Sequence, residues 1–104
     1  KGNADTVSMM PGMITSDEPG LYFEGKYGIR LENLIECIEK EKGFYGFCPL
    51  TFVPFDREAI EPKLLNDEEK CILNFYHEEV CSKIGMYLND EERVWLEKET
   101  GHIE

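Results

Sequence analysis

Basic charge is what this chain has least of. Its 104 residues hold 11 Lys and Arg against 22 Asp and Glu, a formal net charge of -11. No Lys/Arg-rich face is available to displace counterions, which excludes a phosphate-backbone, nucleic-acid-binding role. Long apolar runs are also missing. No stretch of roughly 18 apolar residues occurs, so no membrane-spanning segment is expected. The first residues lack the positive head and apolar core of a signal peptide. The chain does not begin with methionine, so Lys1 is expected to be internal and the chain a piece of something longer. Histidine is limited to His77 and His102. The cysteines, Cys37, Cys48, Cys71 and Cys81, form no CxxC pair and no zinc-finger spacing. They read as reduced thiols of a cytoplasmic protein, with Cys71 and Cys81 as small apolar residues on a helix.

What remains fits a folded chain. Hydrophobic residues make up 41% and aromatics 12%, a globular rather than a disordered composition. The length suits one small domain better than two, and such a domain buries roughly two thirds of its unfolded surface.

Residues 1–11 are polar and unpatterned apart from Met9 and Met10, and Pro11-Gly12 marks a turn. Met13 to Asp17 reads as a short strand, ended or bulged at Pro19-Gly20. Gly20, Gly25 and Gly28 punctuate an aromatic segment. Ile29 to Ile38 reads as one strand, with Ile29, Leu31 and Ile35 on one face and Arg30, Glu32, Leu34 and Glu36 on the other. Lys40 to Gly43 reads as a charged turn, with Glu36, Glu39 and Glu41 solvated around it. Phe44 to Phe55 is aromatic and β-branched, and Pro49 and Pro54 make it an edge strand or extended segment.

After Phe55 the period changes. One helical turn is expected within Asp56–Leu65, interrupted before Pro62. Asn66 then reads as an N-cap, with Glu69 completing a capping box, and the helix should run from Asp67 to Tyr87. Ile72, Phe75, Tyr76, Val80, Ile84 and Leu88 form its apolar stripe. Asn89 and Glu92 repeat the capping box, and a second helix follows through Val94, Trp95 and Leu96. Trp95 is the expected core anchor of this helical pair, and Gly101 the expected left-handed C-terminal residue. Strands first and helices second imply an α+β class.

One feature asks for chemistry. Glu18 precedes Gly25 by seven residues and Glu32 follows it by seven. A hairpin folded at Gly25 pairs positions whose numbers sum to fifty, so these carboxylates would face each other unless a bulge at Pro19-Gly20 shifts the register. Like charges directly opposite on a sheet are unfavourable. Protonation of one, neutralisation by Arg30, or a cation between them relieves the repulsion. Two such carboxylates can bridge divalent ions roughly 3.5–4 Å apart, the spacing of two-metal hydrolases. In so acidic a chain, two solvated glutamates are the plainer alternative.

Specific words extend this reading. PGM-x-x-x-DEPG-x-Y (Pro11 to Tyr22) and GIRLEN (Gly28 to Asn33) resemble the last part of the pita-bread metallopeptidases, and among them the Xaa-Pro aminopeptidases (aminopeptidase P). LTFVPFD (Leu50–Asp56), LNFYHEEV (Leu73–Val80) and WLEKET (Trp95–Thr100) are similar to the extra C-terminal region of the longer, cytosolic type. The resemblance implies the C-terminal part of a pita-bread fold over residues 1–48, incomplete, with a two-helix extension over 49–104. It implies Glu18 as one carboxylate ligand of a dinuclear site, and also as a proton shuttle, and Glu32 as the ligand bridging both metals. Arg30 and Tyr22 fall on substrate-site positions. Two divalent ions, manganese as usual for the family, would activate water against the bond between an N-terminal residue and a following proline. The implied partners are a peptide with proline second and the rest of the catalytic domain.

The family's site uses five protein ligands, and two aspartates and a histidine ahead of a HEGP word have no counterpart here. Asp5 and Asp17 lack the matching context. The chain alone is therefore expected to be inactive. The competing reading is a docking or homodimerisation module built from the helices and the aromatics Phe44, Tyr45, Phe47, Phe52 and Phe55, for which packing is the plainer role. A prolidase-like relative is a third. The HEEVC run from His77 to Cys81 begins like the zincin motif but lacks its second histidine, so His77 is expected to be a structural or surface residue.

Overall fold

A computed structural model of the chain describes residues 7–104, so Asp5 and the first part of the polar N-terminal stretch lie outside the described residues. Five strands come first: β1 (Ile14–Asp17), β2 (Gly20–Phe23), β3 (Tyr27–Arg30), β4 (Asn33–Glu41) and β5 (Phe44–Pro49). Two helices follow, α1 (Asp67–Gly85) and α2 (Asp90–Glu99), after short 3-10 turns at Arg57–Ala59 and Pro62–Leu64. The class is α+β, as the order of patterns implied. The chain divides into two units, one up to Thr51 and one from Phe52 to Glu104.

Gly25 sets the register of the first unit. It adopts φ +70°, and Lys26 N–H donates to the Phe23 carbonyl at 3.0 Å. No described non-glycine residue has a positive φ, so Glu24 is negative and the turn follows the type II pattern, which calls for glycine at its third position. β2 and β3 then pair from Phe23 opposite Tyr27 to Gly20 opposite Arg30. The Phe23 and Tyr27 rings meet at 5.1 Å beside the turn. Farther from the turn, β1 pairs with β4 from Asp17 opposite Asn33 to Ile14 opposite Glu36.

The expected single strand from Ile29 to Ile38 is not continuous. It stops at Arg30 and resumes at Asn33. Pro19 supplies the reason: it accepts from Leu31 N–H at 3.3 Å but has no N–H to return. β4 forms the centre of a three-stranded antiparallel sheet, order β1-β4-β5. It runs to Glu41, with a bulge between Glu39 and Glu41, so the expected turn tightens to Lys42-Gly43, where Gly43 has φ +84°. Central placement buries Cys37 completely, while Cys71 is exposed and Cys81 half-buried. Cys71 and Cys81 lie on α1, as expected, while the thiol buried in the core is that of Cys37 on β4. The aromatics Phe44, Tyr45 and Phe47 are exposed on edge strand β5.

The second unit is organised by its caps. Asn66 Oδ1 accepts from Glu69 N–H at 2.8 Å, and Glu69 Oε2 accepts from Asn66 N–H at 2.9 Å. Asn89 and Glu92 repeat the arrangement at 2.9 Å in both directions. Each capping box satisfies donors that a helix start leaves open. Pro62 opens a second 3-10 turn where only one turn was expected, and α1 ends at Gly85 rather than Tyr87.

Tyr76, Val80 and Leu96 form the core, with Phe52, Phe55, Ile84 and Leu88 packed against it. Full burial of a side chain such as Leu96 contributes about 1.5–3 kcal/mol. Ile72 and Phe75, expected in the same stripe, are exposed, and Trp95 is 57% exposed where Leu96 is 1%. Leu96, not Trp95, anchors α2. Three polar pairings tie extended segments to α1. Tyr76 donates its hydroxyl proton to the Val53 carbonyl at 2.8 Å. Phe55 N–H donates to His77 Nε2 at 3.0 Å. Asn74 exchanges two bonds with the backbone of Ile103, at 3.0 and 2.8 Å.

Gly101 is not left-handed, contrary to expectation. The carbonyls at the end of α2 find side-chain donors instead. Thr100 Oγ1 donates to Leu96 O at 2.8 Å, and Arg57 donates to Lys98 O at 2.9 Å and His102 O at 3.2 Å. Glycine fits at 101 because a Cβ there would stand 3.0 Å from Arg57 Nη1.

Candidate metal centre

In the β1–β4 and β2–β3 ladders, paired positions sum to fifty. The bulge allowed for at Pro19-Gly20 does not shift the count. The interruption is two residues long on each side, Glu18-Pro19 against Leu31-Glu32. Continuing either ladder sets Glu18 opposite Glu32. Opposed positions of an antiparallel pair share a face, and side chains alternate along each strand. Within the β2–β3 ladder, Gly20, Tyr22, Gly28 and Arg30 therefore share one face. Carried across the two-residue break, the same alternation would add Glu18 and Glu32 to it.

The charges on this face are accessible. Arg30 Nη2 pairs with Glu32 Oε2 at 3.2 Å, the side chains being 50% and 42% exposed. At such exposure the pair is worth about 0–1 kcal/mol, so it orients more than it stabilises. Glu32 keeps its second oxygen without a partner, and Glu18 makes no salt bridge, among the described residues. The donor set is oxygen-only and doubly negative, which suits a hard divalent cation. The residues present thus fit part of a divalent-metal site. They do not complete one: among the described residues, no group of three or more His, Cys, Asp and Glu is placed to hold a metal. Asp17 lies in β1 opposite Asn33.

Tyr22 is also seated on this face. Its ring lies against the backbone of its cross-strand partner Gly28 and against Gly20, two residues before it. Sequence reasoning treated those glycines as punctuation. The available signal was their spacing, one two residues before Tyr22 and the other two before Arg30.

The zincin-like run is put to another use. His77 is completely buried, and its Nε2 is occupied by the Phe55 N–H. The ring proton is therefore on Nδ1, which has no partner among the described residues. Burial first, and the nearby Arg57 charge second, lower the His77 pKa from its ordinary value.

A model of the family described as the C-terminal region of peptidase M24 matches residues 43–103. The chain belongs to that family. A "Probable Xaa-Pro aminopeptidase P" of Talaromyces marneffei is 43% identical over 103 residues, covering 90% of this chain and 16% of that protein. A protein of the same name from Paracoccidioides brasiliensis is 44% identical over 101 residues, covering 88% of this chain and 16% of that protein. Among solved structures, X-prolyl aminopeptidase from Caenorhabditis elegans, described as a cytosolic enzyme with a di-nuclear active site, matches with TM-score 0.86 and 34% identity. That match covers 91% of this chain and 17% of the other. This peptidase M24 C-terminal region thus has the fold of the corresponding part of an X-prolyl aminopeptidase. It spans about one sixth of the length of the relatives it matches.

Proposed function

We propose that the chain is the C-terminal portion of an Xaa-Pro aminopeptidase and contributes Glu18 and Glu32 to a two-metal site. The observation that supports the reading is the shared register, which, carried across the break between the ladders, would set two exposed carboxylates opposite each other. The likeness to relatives named Xaa-Pro aminopeptidase P, and to a solved enzyme with a di-nuclear site, supports it. In this reading the parent cleaves between an N-terminal residue and a following proline, and it works in the cytoplasm.

Glu32, with two carboxylate oxygens, would hold both ions, and Glu18 would be a ligand of one. Manganese suits such an oxygen-rich set. Two divalent ions, when bound, lower the pKa of water and polarise the scissile carbonyl. Glu18 also accepts a proton from the attacking water and passes it to the leaving amine. Arg30 holds the Glu32 carboxylate in place and has further N–H groups for the peptide. Tyr22 stands next along the same face, on the substrate side. The remaining ligands belong to the rest of the catalytic domain, so the chain alone is inactive. Residues 1–48 belong to the pita-bread domain and 49–104 to its extension. The helical extension also leaves Phe75 and Trp95 exposed, and a homodimer through this region is part of the proposal.

Glu32→Gln in the complete parent enzyme tests the reading. It removes the charge and one metal-ligating oxygen at nearly constant volume. Turnover is expected to vanish while thermal stability stays close to wild type. Retained turnover refutes the ligand role.

A further inference from the structure

Two glycines flank Tyr22 for a reason that backbone conformation does not supply. Neither Gly20 nor Gly28 has a positive φ. Both are required by space. A Cβ on Gly28 would collide with Tyr22 Cδ1 and stand 2.7 Å from Cε1. A Cβ on Gly20 would stand 2.8 Å from Cε2 and 3.0 Å from the phenol oxygen. The near edge of the ring therefore rests over Gly28, and its hydroxyl end over Gly20. Gly20 is opposite Arg30 and one same-face step from Glu18. The ring lies along the ribbon, with its hydroxyl directed toward the end where the β2–β3 ladder breaks.

We infer that Gly20 and Gly28 are positioning residues of the proposed site: their bare backbone forms the floor on which Tyr22 lies flat, and this sets where its hydroxyl stands. A side chain at either position lifts the ring off that floor. Packing of an aromatic ring over a cross-strand glycine also stabilises a hairpin without any catalytic consequence, so the test must separate the two roles. The inference rests on the function proposed above, in which Tyr22 faces the substrate.

The test uses the complete parent enzyme, with Gly28→Ala and Gly20→Ala each made in the wild type and in Tyr22→Phe. Displacement of a positioning group by about 1 Å costs on the order of a hundredfold in rate. Gly28→Ala is therefore expected to lower kcat/KM about a hundredfold, and Gly20→Ala in the same direction, with bound metal unchanged. In Tyr22→Phe, where no hydroxyl remains to be placed, the same changes should cost no more than about twofold, the margin of ordinary additivity. Equal losses in both backgrounds, or a loss below about twofold in the wild type, overturn the inference. Thermal melting supplies a readout independent of activity, and covers the case in which Gly28→Ala folds poorly. With the ring removed by Tyr22→Ala, adding Gly28→Ala should not lower the melting temperature further. A further drop means the glycine serves something other than the ring, and the inference falls. The two readings fail separately. If Glu32→Gln keeps turnover, the metal-site reading is wrong; if Glu32→Gln is inactive but Gly28→Ala is not impaired, only the seating of Tyr22 is wrong.

Discussion

Acid should loosen the second unit through His77. Its ring is buried, and Nε2 accepts the Phe55 N–H at 3.0 Å. Protonation would replace that acceptor by a second donor and put a positive charge near Arg57. The folded chain resists it, and the pKa falls below the ordinary 6.5, by burial first and by Arg57 second. In the unfolded chain the imidazole titrates near 6.5. Between those two values the unfolded state binds the extra proton, so stability falls as pH falls. The contribution is whole above about pH 6.5 and declines toward the folded pKa, with a limiting slope of about 1.4 kcal/mol per pH unit for one proton. Urea unfolding followed by the helical circular dichroism signal measures it, since both helices lie in this unit. A His102→Gln background leaves His77 as the single imidazole. From about pH 7.5 to 5.5 stability should drop, above the range in which ordinary carboxylates titrate. His77→Leu should leave the Phe55 N–H unsatisfied, cost about 1–3 kcal/mol at neutral pH, and abolish the slope. A flat or rising wild-type profile on acidification, or an unchanged slope in His77→Leu, refutes the reasoning.

The other expectations concern α2. Leu96→Ala empties a filled core position and should cost about 2–5 kcal/mol in urea unfolding, whereas Trp95→Ala should stay within about 0.5 kcal/mol of wild type, as surface substitutions do. Trp95→Glu in the complete parent should weaken self-association measured by sedimentation velocity; an unchanged dimer, or a monomeric wild type, removes the proposed dimer contact.

Much of this arrangement could be read from the letters, and the exceptions have identifiable causes. Gly25 fixed the pairing because a single glycine-requiring turn dictates every partner behind it. The helix starts were legible because Asn66 with Glu69, and Asn89 with Glu92, each satisfy the same open donors. The break between β3 and β4 was signalled only on the opposite strand, by the missing N–H of Pro19. Trp95 misled because Val94, Trp95 and Leu96 are consecutive and together sweep about 200° of a helix, so periodicity does not decide which of them faces inward. Gly101 misled because Arg57, more than forty residues away, satisfies the carbonyls that a left-handed glycine would otherwise serve. At the candidate site, Glu18, Tyr22, Arg30 and Glu32 fall on one face by counting alone. The role of Gly20 and Gly28 beneath Tyr22 needed coordinates, since the contact depends on which way the ring lies.

The most direct measurement is an anomalous-scattering map of the complete parent enzyme crystallised with manganese. Two peaks are expected, roughly 3.5–4 Å apart, with the Glu32 carboxylate touching both and Glu18 touching one. Peaks remote from these side chains, or Glu18 and Glu32 projecting from opposite faces of the ribbon, would contradict the account.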